Sequence, residues 1–188
     1  MIYLPNTNAY QEFVVGLKEA YPFVKIRLRS KFWLTRWLDK TLLRASKYSY
    51  ITTIGPNIYV PDDWQSGSDN EKFIVLYHEV EHIRQYMQWG LENIWFGTIM
   101  VGILYLLILP MVFTMRSYFE KQAMEQTAIA MQIVGYNSEA HKNGFIQFCI
   151  DMFTSIEYLY MCPFPKHIEE WAEKTWDNAQ NTIGVTTI

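Results

Sequence analysis

Between Asn93 and Met115 the chain carries no charged residue, and Ile99–Leu109 is almost wholly apolar. A helix rises 1.5 Å per residue, so about 20 apolar residues span the roughly 30 Å hydrocarbon core of a bilayer. Such a stretch either crosses a membrane or folds back inside a protein. Gly97 and Gly102 weaken a helix, and Pro110, well inside the run, would break one. The expected structure is therefore a buried hairpin or loop-helix that returns to its start. Membrane contact is the less favoured alternative.

Just before this stretch lies Tyr77-His78-Glu79-Val80-Glu81-His82, an HExxH pattern. On a helix His78 and His82 leave the same face one turn apart, as two nitrogen ligands of one tetrahedral zinc must. Glu79 is one step round the helix, where it can take a proton from a metal-bound water. Local signals support the helix. Ser68 and Glu71 form a capping box, Asp69 and Glu71 suit the positive end, and Gly90 is a stop. Phe73, Ile74, Tyr77 and Val80 give it an apolar face.

Upstream, residues 6–20 read as a short amphipathic helix capped by Asn6 or Asn8, with Phe13, Leu17 and Ala20 on one face and Tyr21-Pro22 ending it. Nine of the 16 Lys and Arg residues then follow closely: Lys18, Lys25, Arg27, Arg29, Lys31, Arg36, Lys40, Arg44 and Lys47. A helix at about 31–45 would carry Trp33, Leu34, Trp37, Leu38 and Leu42 as its apolar stripe, with basic flanks. Most such helices are solvated surface helices, although a basic amphipathic helix can also meet a membrane or a phosphate-rich partner. Tyr50–Ile54 and Asn57–Val60 are β-branched and aromatic runs around Gly55-Pro56, which predicts a hairpin ended by Pro61.

Downstream, Arg116–Val134 has a helical pattern stopped by Gly135. Tyr118 or Phe119, Gln122 or Ala123, Thr127 and Ala130 are its expected inner face. Ala123, Thr127, Ala128 and Ala130 are small enough for close approach to another helix. A helix over 138–160, capped by Asn137 or Ser138, places Phe145, Phe148, Cys149, Met152 and Ile156 inward, with Gly144 as a potential interruption. After the turn Pro163-Phe164-Pro165, residues 166–180 carry the stripe Ile168, Trp171, Ala172, Thr175, Trp176 and Ala179.

A chain of 188 residues that is 50% hydrophobic and 16% aromatic is expected to form one domain with a real core. The net charge of −3 gives no pull toward nucleic acid, and no specific nucleic-acid binding is expected. Cys149 and Cys162 lie in no CxxC pair and read as reduced core residues. The opening Met-Ile-Tyr-Leu-Pro-Asn lacks a basic segment followed by an apolar run, so no secretory signal is expected.

Catalytic zinc needs a third protein ligand besides the two imidazoles. His141 and His167 are distant singletons, and a carboxylate on the next helix, Glu120 or Glu125, is the better candidate. Arg116-Ser117-Tyr118-Phe119-Glu120-Lys121-Gln122-Ala123 resembles the RxxxExxA stretch of gluzincin metallopeptidases, in which a Glu of the following helix completes HExxH. The resemblance extends through Thr52-Thr53-Ile54-Gly55, Ile58-Tyr59-Val60-Pro61, Gln85 and the Leu-Pro before the Glu helix. Over roughly residues 50–135 the chain is similar to small predicted metallopeptidases encoded by tailed phages. The resemblance implies His78, His82 and Glu120 as Zn2+ ligands and Glu79 as base. Many gluzincins carry an Asp four residues after the ligand Glu; Met124 is there instead, so Glu125 stays as a rival. A ligand on that helix also requires residues 93–115 to fold back.

The implied function is zinc-dependent peptide hydrolysis, with a peptide or protein substrate and a host-cytoplasmic or virion location. Tyr86, Tyr118 and Tyr136 are candidate oxyanion donors. The competing expectation is a structural or interaction protein, such as a virion component with a protein partner, on the same fold. The expected fold is α+β and mostly helical: one domain over 1–188, with the HExxH and Glu helices packed on a small hairpin or sheet. A basic helical region is expected over 1–48 and a helical region over 137–180.

Overall fold

The computed structural model describes residues 9–32, 51–106, 112–155 and 161–185. In chain order the elements are α1 (Ala9–Ala20), β1 (Lys25–Leu28), β2 (Thr52–Ile54), β3 (Asn57–Val60), α2 (Asp69–Trp89), α3 (Ile94–Leu106), α4 (Val112–Ile133), α5 (Glu139–Thr154) and α6 (Pro165–Val185). The expected mostly helical α+β fold is what forms. The helix expected at about 31–45 lies almost entirely outside the described residues, as do Asn6, Asn8 and Ile156.

The sheet has three strands in the order β1-β3-β2, with β1 parallel and β2 antiparallel to β3. The hairpin matches expectation; β1 does not, because Lys25-Ile26-Arg27-Leu28 falls within the region 1–48 expected to be basic and helical. Its charges and apolar residues alternate with period two. Lys25 and Arg27 are exposed, while Ile26 and Leu28 join Ile58, Val60 and Trp64 beneath the sheet. Alternation, rather than the count of positive charges, sets this segment's structure.

Helix α2 begins with the full capping box: the Glu71 N–H donates to Ser68 Oγ, and the Ser68 N–H donates to the Glu71 carboxylate. It is apolar on two sides because it is buried on two sides. Leu76 and Ile83, with Val75 and Val80, pack on the sheet. Phe73, Ile74 and Tyr77 pack against α1 and the end of α4. Phe13 lies 5.3 Å from Phe73 and 5.2 Å from Tyr77, ring centre to ring centre. On α1, Leu17 is buried as expected, whereas Ala20 is exposed.

The uncharged stretch does return. Helix α3 packs on both α2 and α4, and no described helix is long and apolar enough to cross a membrane. Its tight corner explains one glycine. A Cβ at Gly97 would overlap the Tyr86 carbonyl, so α3 can fold onto the last turn of α2 only with glycine there. Leu91 and Glu92 take positive φ of 50° and 70° to make the reversal, and Asn93 Oδ1 accepts from the N–H groups of Trp95 and Phe96. The stretch is not buried throughout, contrary to expectation: Trp95, Phe96, Ile99 and Ile103 point outward, Ile99 being 60% exposed. Residues from Val112 onward already belong to α4, which starts earlier than its charged residues suggest.

Helix α4 is the centre of the molecule, packed on α2 and α3 on one side and on α6 and α5 on the other. It ends at Gly135 (φ 86°) in a Schellman arrangement: the Tyr136 N–H donates to the Met131 carbonyl and the Gly135 N–H to that of Gln132. Met124 and Ala128 of α4 join Phe145, Cys149, Met152 and Phe153 of α5 and Ile168, Ala172, Trp176 and Ala179 of α6 in the largest buried cluster. Gly144 does not interrupt α5, and Phe148 faces solvent rather than the core.

Candidate metal centre

Helices α2 and α4 bring His78, His82 and Glu120 together, with one potential ligand atom from each lying within 4.8 Å of the others. Among the described residues this is the group of His, Cys, Asp and Glu side chains that could hold a metal ion. Nε2 of His78 is 3.7 Å and Nε2 of His82 3.9 Å from Glu120 Oε2. These distances are too long for hydrogen bonds. They approach the separation of about 3.4 Å that two ligands at about 2.0–2.1 Å from a tetrahedral ion would have.

The other ring nitrogens show what the Nε2 atoms can do. His82 Nδ1 is 2.9 Å from Gln85 Oε1. Gln85 cannot be turned over, because its Nε2 donates to the Phe119 carbonyl at 2.9 Å and to Gln122 Oε1 at 3.1 Å. Its oxygen must therefore accept from a protonated His82 Nδ1. His78 Nδ1 is 3.0 Å from Thr127 Oγ1, whose own proton goes to the Ala123 carbonyl at 3.2 Å. With that proton on the carbonyl, Thr127 accepts and the His78 proton sits on Nδ1. In the neutral rings both Nε2 atoms then present lone pairs toward a carboxylate oxygen. Three acceptors converging on one point suit a cation, and partners that fix the far nitrogen of each histidine are what metal sites require.

The histidines' proton affinities fit this arrangement. Burial, and next the charge of His82, lower the pKa of His78, against the pull of Glu79 and Glu120. Burial works in the same direction on His82, but Glu120, Glu79, the Gln85 bond and Glu81 together outweigh it and raise its pKa. The two shifts run in opposite directions, and the mutual repulsion of two adjacent imidazolium ions is part of what holds His78 down.

Glu79 is buried beside the group, and its Oε2 accepts from Thr53 Oγ1 at 2.6 Å. Glu125, the rival ligand, is directed away. It bonds Trp171 of α6, and burial raises its pKa. Five residues on a helix turn through 500°, so Glu120 and Glu125 point about 140° apart. Of the three tyrosines, Tyr86 donates its hydroxyl to the Thr53 carbonyl at 2.8 Å, and burial pushes its pKa up. The Tyr118 hydroxyl accepts from Gln122 Nε2 at 3.0 Å, which links it through Gln85 to His82. Tyr136 stacks on His141, which Ser138 also holds, and His167 lies 3.5 Å from Lys121. None of these last contacts involves the three converging residues.

Gln85, Thr127 and Thr53 are the residues for which sequence reasoning found no role at the site. Gln85 stands three residues after His82 on the same helix face, a signal available in the sequence. Thr127 is seven after Glu120, so its direction was legible but its partner was not. Thr53 meets Glu79 only through the fold.

No protein-family model matches this chain, and neither does any curated protein or solved structure.

Proposed function

We propose that this chain is a zinc-dependent peptidase of the minimal gluzincin type, with His78, His82 and Glu120 as ligands and Glu79 as general base. The observation that carries the reading is the convergence of two Nε2 lone pairs and a carboxylate oxygen one residue away from a buried carboxylate. Two imidazoles and one carboxylate leave a bound Zn2+ with net positive charge, which supplies an acidified water and a Lewis acid for a peptide carbonyl. The same ligand set suits non-haem iron. Glu79 favours hydrolysis, because oxygen chemistry at iron does not call for a neighbouring base.

Glu79 would take the proton of the attacking water and deliver it to the amine nitrogen as the C–N bond breaks. Tyr118 is the most available of the three tyrosines as a further donor to the oxyanion, since its ring is half exposed, its hydroxyl only accepts from Gln122, and Tyr86 already donates to Thr53. A host-cell or virion location belongs to this proposal too, through the phage resemblance.

The test is Glu79→Gln, which keeps shape but cannot accept the proton. With zinc content unchanged, hydrolysis of an unstructured peptide pool should fall by about 10²–10⁴-fold. Equal cleavage by both proteins would remove Glu79 from the chemistry. Absence of cleavage by the zinc-loaded wild type would leave a binding protein on a metal-holding fold.

A further inference from the structure

Thr53 reaches the proposed base from outside the motif helix. It lies in the middle of β2, the strand at one edge of the sheet, paired with Ile58 of β3. Its hydroxyl donates to Glu79 Oε2 in a short, buried bond of 2.6 Å. Its carbonyl accepts from Tyr86. Glu79 and Tyr86 are seven residues apart and share one face of α2, so the helix grips Thr53 at side chain and main chain together. With β3 on its other side, Thr53 cannot follow the carboxylate if that group turns.

A glutamate's last torsion is broad and roughly two-fold, so a carboxylate without a fixed partner presents either oxygen over a range of tilts. A donor anchored on Oε2 removes that freedom. Docking β2 does not itself need the hydroxyl, because Tyr86 bonds a main-chain carbonyl that any residue at 53 would supply.

We propose that Thr53 is a positioning residue for hydrolysis: by holding Glu79 Oε2, it commits Oε1 to accept the water's proton and pass it to the leaving amine. This rests on the peptidase reading above.

Thr53→Val keeps the branched shape and removes the donor, while Thr53→Ser keeps the donor. In the zinc-loaded full chain, Thr53→Val should lower kcat by roughly 10–100-fold with KM and zinc content near wild type. Thr53→Ser should recover most of that loss, and Thr53→Val should add nothing on top of Glu79→Gln. If valine impairs folding, Thr53→Ala is the second variant without a donor. Wild-type kcat in the donor-less variant, a loss that persists beside Glu79→Gln, or failure of serine to rescue would each overturn the proposal. If Glu79→Gln itself leaves turnover unchanged, or wild type has none, the peptidase reading falls separately. The crystal structure of Thr53→Val then decides: a turned Glu79 carboxylate supports positioning by Thr53, and an unmoved one overturns it.

Discussion

The two faces of α4 are built on opposite principles. Toward α2 it presents Glu120, Gln122 and Thr127 among Phe119, Ala123 and Ala130, and its polar atoms join a chain of hydrogen bonds ending on two histidines. Toward α5 and α6 it presents Met124 and Ala128 to the largest cluster of buried apolar side chains, with Glu125 and Lys121 meeting Trp171 at its edge. Buried polar groups stabilise little even when well paired, and they cost free energy when a partner is removed. Buried apolar surface stabilises without needing a particular function. One face is packed apolar on apolar, and the other spends part of its burial on hydrogen bonds that fix His78 and His82 beside Glu120.

The largest effect should come from the apolar face. Trp176 is 1% exposed and its ring centre is 5.5 Å from that of Phe145. Trp176→Ala should cost about 3–5 kcal/mol in denaturant unfolding. The protein that remains folded should bind zinc with nearly wild-type affinity. A large affinity loss in that folded fraction would mean the faces are coupled rather than separate.

The polar face should behave in the reverse way. Gln85→Leu removes the acceptor on His82 Nδ1 and the donor to the Phe119 carbonyl while keeping similar bulk. Zinc affinity should fall about 10–100-fold, with loss of stability in the metal-free protein of only about 1–3 kcal/mol. Thr127→Val should show a smaller version of the same pattern through His78. Competitive titration against a chromophoric chelator, beside urea unfolding of the metal-free proteins, reads both quantities. Loss of stability without loss of affinity would make Gln85 a packing residue.

The same contrast explains what was legible in the sequence. Local signals did well: the Ser68–Glu71 box, the stop at Gly135, the hairpin around Gly55 and the apolar stripe of α6 all depend on neighbours within a few residues. The fold-back of residues 93–115 was inferred because two ligands had to meet. Its exposed Trp95 and Ile99 were not foreseen, since apolar composition does not say which side of a helix finds a partner. Strand β1 was missed because its alternation is only four residues long and its pairing with β3 crosses about 30 residues of chain. At the site, His78, Glu79 and His82 were explicit in one helical turn. Choosing Glu120 over Glu125 needed the rotation of α4 about its axis, and Thr53 needed the docking of β2 on α2.

That rotation carries the central claim, and it can be measured directly. Equilibrium dialysis against zinc, with metal content determined for wild type, Glu120→Gln and Glu125→Gln in parallel, compares a carboxylate on each face of α4. Wild type and Glu125→Gln should hold about one zinc per chain, and Glu120→Gln markedly less. Zinc retained equally by all three, lost on Glu125→Gln instead, or absent from wild type would contradict the account.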